Sequence, residues 1–532
     1  MFTDIIFPLN RLESAEVVIA TLAGLVFYHS LKTIYRLWFH PLSKFPGPKL
    51  AAATSVYEFY YSVIQDGMFP WKIKEMHEIY GPVVRITPHE LHFSDPDFYN
   101  EIYTGQMKPR DKFVPFYQFT GAVTSAFETH DAKLHNSRRQ PLMNVFAKKE
   151  VTKMEPLIMS KIKILAQRFE RAIKEQTPIQ LDSAFAALTS DIISEYGYGR
   201  CLEYLHDDAF KSDIRESLLA SLSLFHIIRF VPAIMMLAKV LPYKLVKLLN
   251  PQLSKVLALR RLILEMTVGE LDKLEKNIPS DARLVKSLTA PSIPDSEKTL
   301  ERLGDEGFVI LNAGVTSGKI LAFTAFHLLN NDNAVSKKLY DELKEAFPDP
   351  KAIENVSLRD LESLPYLVSV LARDSHFILW KLRMEQKGVV WEGLRLALGP
   401  LTRLPRTAPA ASPLVYKDKM IPPGTGISTS NYFLHMNPEL FPNPTEFRPE
   451  RWSENPEKAQ TLQNYIVTFG KGTRHCLGKA YLYMTMAVLT RSFGMELYET
   501  SEKDVEVARD RLFGYPMQPS KGVRILPKAV RA

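Results

Sequence analysis

Cysteine is scarce in this chain: Cys201 and Cys476 are the only two among 532 residues. So few thiols exclude a disulfide-built scaffold and fit a reducing compartment. No glycine-rich nucleotide fingerprint follows a predicted strand, which excludes a fused dinucleotide-binding module. Gly/Ser linkers and internal repeats are missing too. Length alone suggests about three domains, yet nothing in the composition divides the chain, and one large domain is equally open. Neither sign of charge dominates. Lys and Arg number 67 against 59 Asp and Glu, a net +8, without the basic patch that nucleic acid requires. That balance suits an acidic partner or a membrane surface.

What is present is a globular composition with ample core, 46% hydrophobic and 24% charged. The best membrane candidate is at the N-terminus, where AEVVIATLAGLVFYHSL (15–31) has an uninterrupted apolar core from Val17 to Tyr28. Extended through Phe39, it is long enough to span a bilayer with some tilt, with Lys32 and Arg36 snorkelling to the interface. Lys32, Arg36, Lys44 and Lys49 follow the segment while Asp4 and Glu13 precede it, so the body is expected on the cytosolic side. The lysine-poor start and the lack of an A-x-A site speak against a cleaved signal peptide. An amphipathic surface helix is the alternative. Pro41, Pro46 and Pro48 cannot continue a helix and make 41–50 a semi-rigid hinge. The expected organisation is an N-terminal segment 1–40 with an anchor at 15–39, the hinge, and a body from 51 to 532.

In the body, YGPVVRITPHELHFSD (80–95) alternates in the manner of strands and turns. From about 130 to 400 the apolar spacing is mostly helical, and after 405 the chain is loop-rich. This predicts a mainly α protein with a small β portion. A long irregular approach to residue 476 is unusual unless it is functional.

Cys476 lies in FGKGTRHCLG, between glycines and basic residues and ahead of an apolar helical pattern. Gly470, Gly472 and Gly478 let a flat ligand approach the backbone, because no Cβ intervenes. A sulfur at a helix N-terminus, beside Arg474 and His475, is favoured as a thiolate. Such a thiolate is a good axial ligand for haem iron. A buried packing cysteine is the ordinary alternative. The segment matches F-x-x-G-x-R-x-C-x-G at Phe469, Gly472, Arg474, Cys476 and Gly478, and so resembles the haem-binding loop of the cytochrome P-450 family.

That resemblance implies further roles. WEGLRLAL places Glu392 and Arg395 on one helix face, and FRPERW adds Arg451. By resemblance these form a Glu–Arg–Arg triad that locks a helix to the cysteine loop, a structural role in which one carboxylate lies between two guanidinium forks. His135 and Arg139 in HNSRRQPL, Arg406 and Arg403 in LTRLPR, and Arg474 are implied ligands of the haem propionates. In GDEGFVILNAGVTSGKILAFTAFHLL, the small polar notch Ala313–Ser317 stands where the family's helix reads A-G-x-[DE]-T-T, whose threonine helps deliver protons to dioxygen, and this chain departs from that pattern. Counted forward, that threonine falls on Ser317; counted backward from KILAFTAFHLL, it falls on Thr316. Neither count leaves a carboxylate at the notch.

LPYLVSVL normally leads almost directly into E-x-x-R, but here residues 373–391, RDSHFILWKLRMEQKGVVW, intervene. This insertion reads as a retained short intron translated in frame or as a tolerated surface loop. YRLWFHPLSKFPGPKL, LHNSRRQPLMNVF, RLPR and IPPGT resemble fungal secondary-metabolism members near the trichodiene-oxygenase-like group. The resemblance thus implies a P-450 fold and a haem b monooxygenase. It would insert one oxygen atom from O2 into an apolar terpenoid or polyketide skeleton. Electrons would come from NADPH through a separate flavoprotein reductase, at the endoplasmic reticulum membrane. Segments 110–125 and 220–240 with the notch helix would line the distal pocket. Two rivals stand beside this reading: a haem-binding but catalytically impaired form, and a non-enzymatic membrane-associated binding protein.

Overall fold

The computed structural model describes residues 14–105, 108–117, 119–330, 334–362, 364, 388–410, 414–476, 481–517 and 520–531. Residues 1–13 of the N-terminal segment, 373–387 of the expected insertion and Gly478 lie outside the described residues.

Helices dominate, and one of them, Leu300–Asn330, runs through the body. It packs closely on Leu181–Tyr198 and Pro251–Glu275. Leu181–Tyr198 is buried on nearly every face, as its run of small and apolar residues allows, and its polar groups are satisfied internally. Thr189 donates back to the Phe185 carbonyl at 2.9 Å, and the Asp191 carboxylate accepts from the Tyr204 and Leu205 amides at 2.9 and 3.0 Å. Glu155–Glu175 is amphipathic instead. Ile158, Ile162, Leu165, Phe169 and Ala172 recur every three or four positions and form its buried stripe. Helix starts follow the sequence: Asp131, Ser212 and Asn250 cap Ala132–Val145, Asp213–Phe230 and Pro251–Glu275 through their side-chain oxygens.

The β portion is small. One sheet has the order Val83–Thr87, Glu90–Phe93, Gly426–Ser428, Arg406–Thr407. Glu90–Phe93 pairs with Gly426–Ser428 in parallel; the outer pairs are antiparallel, with Arg406 opposite Ile427. A second sheet sets Arg524–Val530 between Ile179–Gln180 and Phe493–Leu497. A hairpin, Arg509–Arg511 with Phe513–Tyr515, reaches towards the long helix. The strands expected within 80–95 are present, and the chain beyond 405 is mostly turns and short elements.

The N-terminal helix, Ser14–Ile34, continues as a π turn through Tyr35–Phe39. Its window Glu16–Phe39 has a mean hydropathy of 1.6 and no buried residue. Leu300–Asn330 is also long and apolar enough to cross a membrane, but half of its window is buried in the body. Arg36 donates to the Ala53 carbonyl at 2.7 Å, and Arg85 donates to the Arg36 carbonyl at 2.9 Å. The last turn of this helix is therefore tied to the body.

Val389–Trp391, read from the sequence as the end of the insertion, form the first turn of the helix Val389–Ala397. Val389 and Val390 are buried, and the Trp391 ring stacks on Trp452 at 5.7 Å.

Candidate active site

Glu392 is fully buried and saturated with donors. Arg395 clasps it bidentately, Nε to Oε2 at 3.0 Å and Nη2 to Oε1 at 2.7 Å. Arg451 Nε, the Trp452 indole and the Arg448 amide donate to the same carboxylate at 2.8, 2.9 and 3.1 Å. The structure thus brings together Glu392, Arg395 and Arg451, and adds Trp452 and Arg448, which sequence reasoning missed. Arg395 also donates to the His435 and Glu446 carbonyls, each at 3.0 Å. At Gly393 a Cβ would lie 2.4 Å from the Thr324 hydroxyl. Only glycine permits that approach to the long helix.

Three contacts carry this order to the cysteine loop. The His435 ring faces the Arg395 carbonyl through Nδ1 at 2.9 Å and accepts the Val467 amide on Nε2 at 2.9 Å. That pairing requires a neutral ring with the proton on Nδ1. Burial first, then Arg395, pushes its pKa down to about 3. The Thr468 hydroxyl donates to the Leu394 carbonyl at 2.7 Å. His435 stands in NYFLHMNP without motif context, so no sequence signal pointed to it.

The loop itself turns tightly. The Cys476 amide donates to the Phe469 carbonyl at 2.8 Å, and Phe469 packs against the main core. Gly472 has φ +73°, and a Cβ there would meet the Thr104 carbonyl at 2.2 Å; no other residue fits that position. Cys476 is exposed, and beside Gly470 a Cβ would meet nothing within 4 Å. The loop therefore presents the sulfur and an open backbone edge together.

Basic side chains converge on this edge. Arg474 donates to the Thr129 and His130 carbonyls, both at 2.8 Å, while its Nε is buried with no partner among the described residues. Arg139 donates to the His475 carbonyl at 2.7 Å. Arg406 donates to the Tyr117 hydroxyl at 2.7 Å. Lys112, not singled out from the sequence, is buried between the Tyr117 and Phe127 rings and donates to the Phe127 carbonyl. Burial, then Arg474 and Arg406, holds Lys112 well below the ordinary lysine range, with Glu128 acting the other way. Burial, then Arg406, brings Arg474 down to about 9. Burial, then Arg474 and Lys112, pushes the His135 imidazole down to about 3. Buried cations that repel one another call for anions among them. The two propionates of a haem supply that charge, so the donor set fits the group.

Arg403 departs from expectation. Its Nε and Nη2 donate to Glu90 at 2.9 and 3.0 Å, and Nη2 donates to Glu58 at 2.8 Å. Burial works against its charge, but Glu58 and Glu90 outweigh it and raise the pKa. Two carboxylates already occupy this guanidinium, so the expected propionate role is withdrawn.

On the long helix, the Thr316 hydroxyl donates to the Asn312 carbonyl at 3.2 Å and lines a cavity of about 230 Å³. Ser317 is half-buried next to it, and Ala313, one turn earlier, is exposed.

The cytochrome P450 family profile matches residues 54–372 and 386–511. The chain belongs to the cytochrome P450 family. Among its relatives, conidiogenone synthase PchP450 of Penicillium rubens is 42% identical over 94% of this chain and 96% of its own. The P450 monooxygenase TRI4 of Fusarium sporotrichioides is 36% identical, covering 96% and 95%. Monooxygenase astB of Aspergillus terreus is 35% identical, covering 98% of each. This P450 is therefore a haem b monooxygenase of the fungal secondary-metabolism type. It uses O2 and NADPH-derived electrons from a redox partner and oxidises an apolar small molecule. The impaired and non-enzymatic rivals are not favoured.

Proposed function

We propose that Cys476 is the axial thiolate, that Arg474, Arg139, His135, Arg406 and Lys112 hold the propionates, and that Glu392, Arg395 and Arg451 keep the loop in place. When bound, the haem supplies oxygen activation and substrate oxidation. The chain's own residues ligate, orient and exclude water. Phe469, Gly472 and Gly478 shape the loop, Gly478 by family pattern alone. Thr316, with Ser317 beside it, positions protons at the notch. The observation that carries this reading is the unbroken hydrogen-bonded route from Glu392 through Arg395, His435 and Val467 to the loop of Cys476. A reduced carbon-monoxide difference spectrum tests it. The expected result is a thiolate-type Soret band that Cys476→Ser abolishes; a band retained in that variant overturns the assignment.

The substrate we propose is a terpenoid or polyketide skeleton, in keeping with the relatives. The redox partner is an NADPH-dependent flavoprotein reductase, and the membrane is that of the endoplasmic reticulum. An exposed apolar patch supports membrane docking: Met236, Leu237 and Val240 with Leu248 and Leu249 are 58–80% exposed. Phe230, at the end of the helix that leads to this patch, packs edge-on against Phe59 at 5.2 Å, next to the exposed Tyr60 and Ile64. Exposed apolar side chains of this kind are what a membrane surface would cover. We propose the domain plan 1–40, 41–50 and 51–532, with 373–391 containing extra sequence. The gap in the family match between 372 and 386 supports that insertion. A mature transcript that retains it, with an active product, would rule out the intron reading.

A further inference from the structure

The cavity beside Thr316 joins four elements of the chain. Its walls include Thr316 and Lys319 of the long helix, Asp182 at the start of Leu181–Tyr198, Arg215 of Asp213–Phe230, and Tyr515 of the hairpin. Apolar residues such as Leu222, Val315 and Phe513 close the rest. At about 230 Å³ it has room for several waters, each filling roughly 30 Å³ in the liquid.

Lys319 is out of place by ordinary rules. Between Gly307 and Asn330 the helix carries no Asp or Glu, and Lys319 lies one turn beyond Thr316. Its ammonium donates to the Gly514 carbonyl and sits 3.4 Å from the centre of the Tyr515 ring. It has no ion pair among the described residues, and neither has Arg215. Asp182 is anchored by the Val523 amide at 2.6 Å. Each turnover, R–H + O2 + 2 H⁺ + 2 e⁻ → R–OH + H2O, consumes protons, and the notch helix supplies no acid of its own. We propose that Lys319, recharged through Asp182 and cavity water, is the proton-relay residue that serves Thr316 in place of a helix carboxylate. The Lys319 ammonium gives a proton to water, which passes one to the Thr316 hydroxyl as that hydroxyl gives its own onward. Neutral Lys319 then recovers a proton through water from Asp182, and the Asp182 carboxylate takes one back from solvent on the side of the cavity lined by Gln180 and Ser520.

The charged and titratable groups that line this cavity, and so face Lys319, are Asp182, Arg215, Asp504 and Tyr515. Asp504 is turned to Ser501 and Ser520. Burial lowers the Lys319 pKa to about 7, and Asp182 opposes the shift. A group poised there can both give and take a proton at neutral pH. The relay rests on the haem-monooxygenase reading.

Three measurements on full-length, haem-loaded protein test it. First, competitive isotopic labelling of amines, read by mass spectrometry, should show Lys319 titrating near neutral pH and lower still in Asp182→Asn. A midpoint near the ordinary lysine value of about 10.4 overturns the proposal. Second, product formed per NADPH should fall about 100-fold in Lys319→Met. Lys319→Arg should fall equally, because arginine keeps the charge but cannot release its proton. Restored coupling in Lys319→Arg points to a merely structural cation and overturns the relay. Third, the fall in wild-type rate as pH rises through about 7 should vanish in both variants, and its persistence likewise refutes the idea. The carbon-monoxide spectrum separates the two readings. If it stays thiolate-type while the relay tests fail, only the relay is wrong; if it is lost in wild type, the haem reading itself is wrong.

Discussion

Glu392 and Lys319 are both ionisable groups beside the same site, one fully buried and the other half-buried against a cavity, and the protein treats them in opposite ways. Glu392 is surrounded by donors from Arg395, Arg451, Trp452 and the Arg448 backbone, so its charge has one fixed geometry. Lys319 has a carbonyl and an aromatic face but no ion pair among the described residues, and it borders a cavity. The first arrangement makes a rigid clamp, because any change leaves a buried charge unpaired. The second leaves a charge that can be gained and lost, since no partner commits it to one state. The thiolate side of the site is built for holding still and the oxygen side for turnover.

The largest effect expected on the clamped side comes from Cys476 itself. Cys476→Ala should abolish the thiolate-type spectrum and all product formation while leaving far-ultraviolet circular dichroism near wild type, because Cys476 is exposed and the core does not depend on it. Next is Glu392→Gln. It keeps the shape but leaves Arg395 and Arg451 without their counter-charge, for a loss of about 3–5 kcal/mol. Chemical denaturation should show that loss, and haem incorporation should fall with it. The relay variants should leave stability within about 1 kcal/mol of wild type, so a large stability loss in Lys319→Met erases the contrast between the two sides.

How legible each side was in the sequence follows from the same contrast. A clamp needs fixed residue types at fixed spacing, and those leave a pattern. Glu392, Arg395, Arg451 and the cysteine loop could all be named from it. So could the main helix, because its apolar period is long. What stayed hidden depends on chain segments meeting in space. Lys112 gains its meaning from the Arg406 and Arg474 cations that face it, and His435 from the Arg395 carbonyl and the Val467 amide. Arg403 was misread for the same reason, since Glu58 and Glu90 are far from it in sequence. Thr316 and Ser317 are adjacent, and no count along the chain separates them. The 373–391 boundary was overdrawn because Val389 and Val390 lack helical context when read beside the preceding residues.

Lys112 offers a smaller and sharper test of the propionate cluster. Lys112→Met removes one buried cation of the group without touching the triad. Haem should dissociate about 10-fold faster, as expected for the loss of roughly one charge-assisted hydrogen bond. The thiolate-type spectrum should keep its shape, and transfer of haem to apomyoglobin measures the rate. An unchanged rate would remove Lys112 from the cluster.

The mildest effect is on pH dependence, and His435 decides its sign. The folded protein holds this imidazole neutral, with a pKa of about 3, against an ordinary value of 6.5. The unfolded chain therefore binds the extra proton first as pH falls. The contribution is fully present above about 6.5 and is lost progressively towards 3, at up to about 1.4 kcal/mol per pH unit. His135 adds in the same direction. Denaturation midpoints measured from pH 7 down to 5 should therefore fall in wild type and fall less steeply in His435→Asn. Equal slopes would mean that the ring is already charged in the folded state. The Val467 amide would then have no acceptor on Nε2, and the route from Glu392 to the cysteine loop would be broken at its middle link.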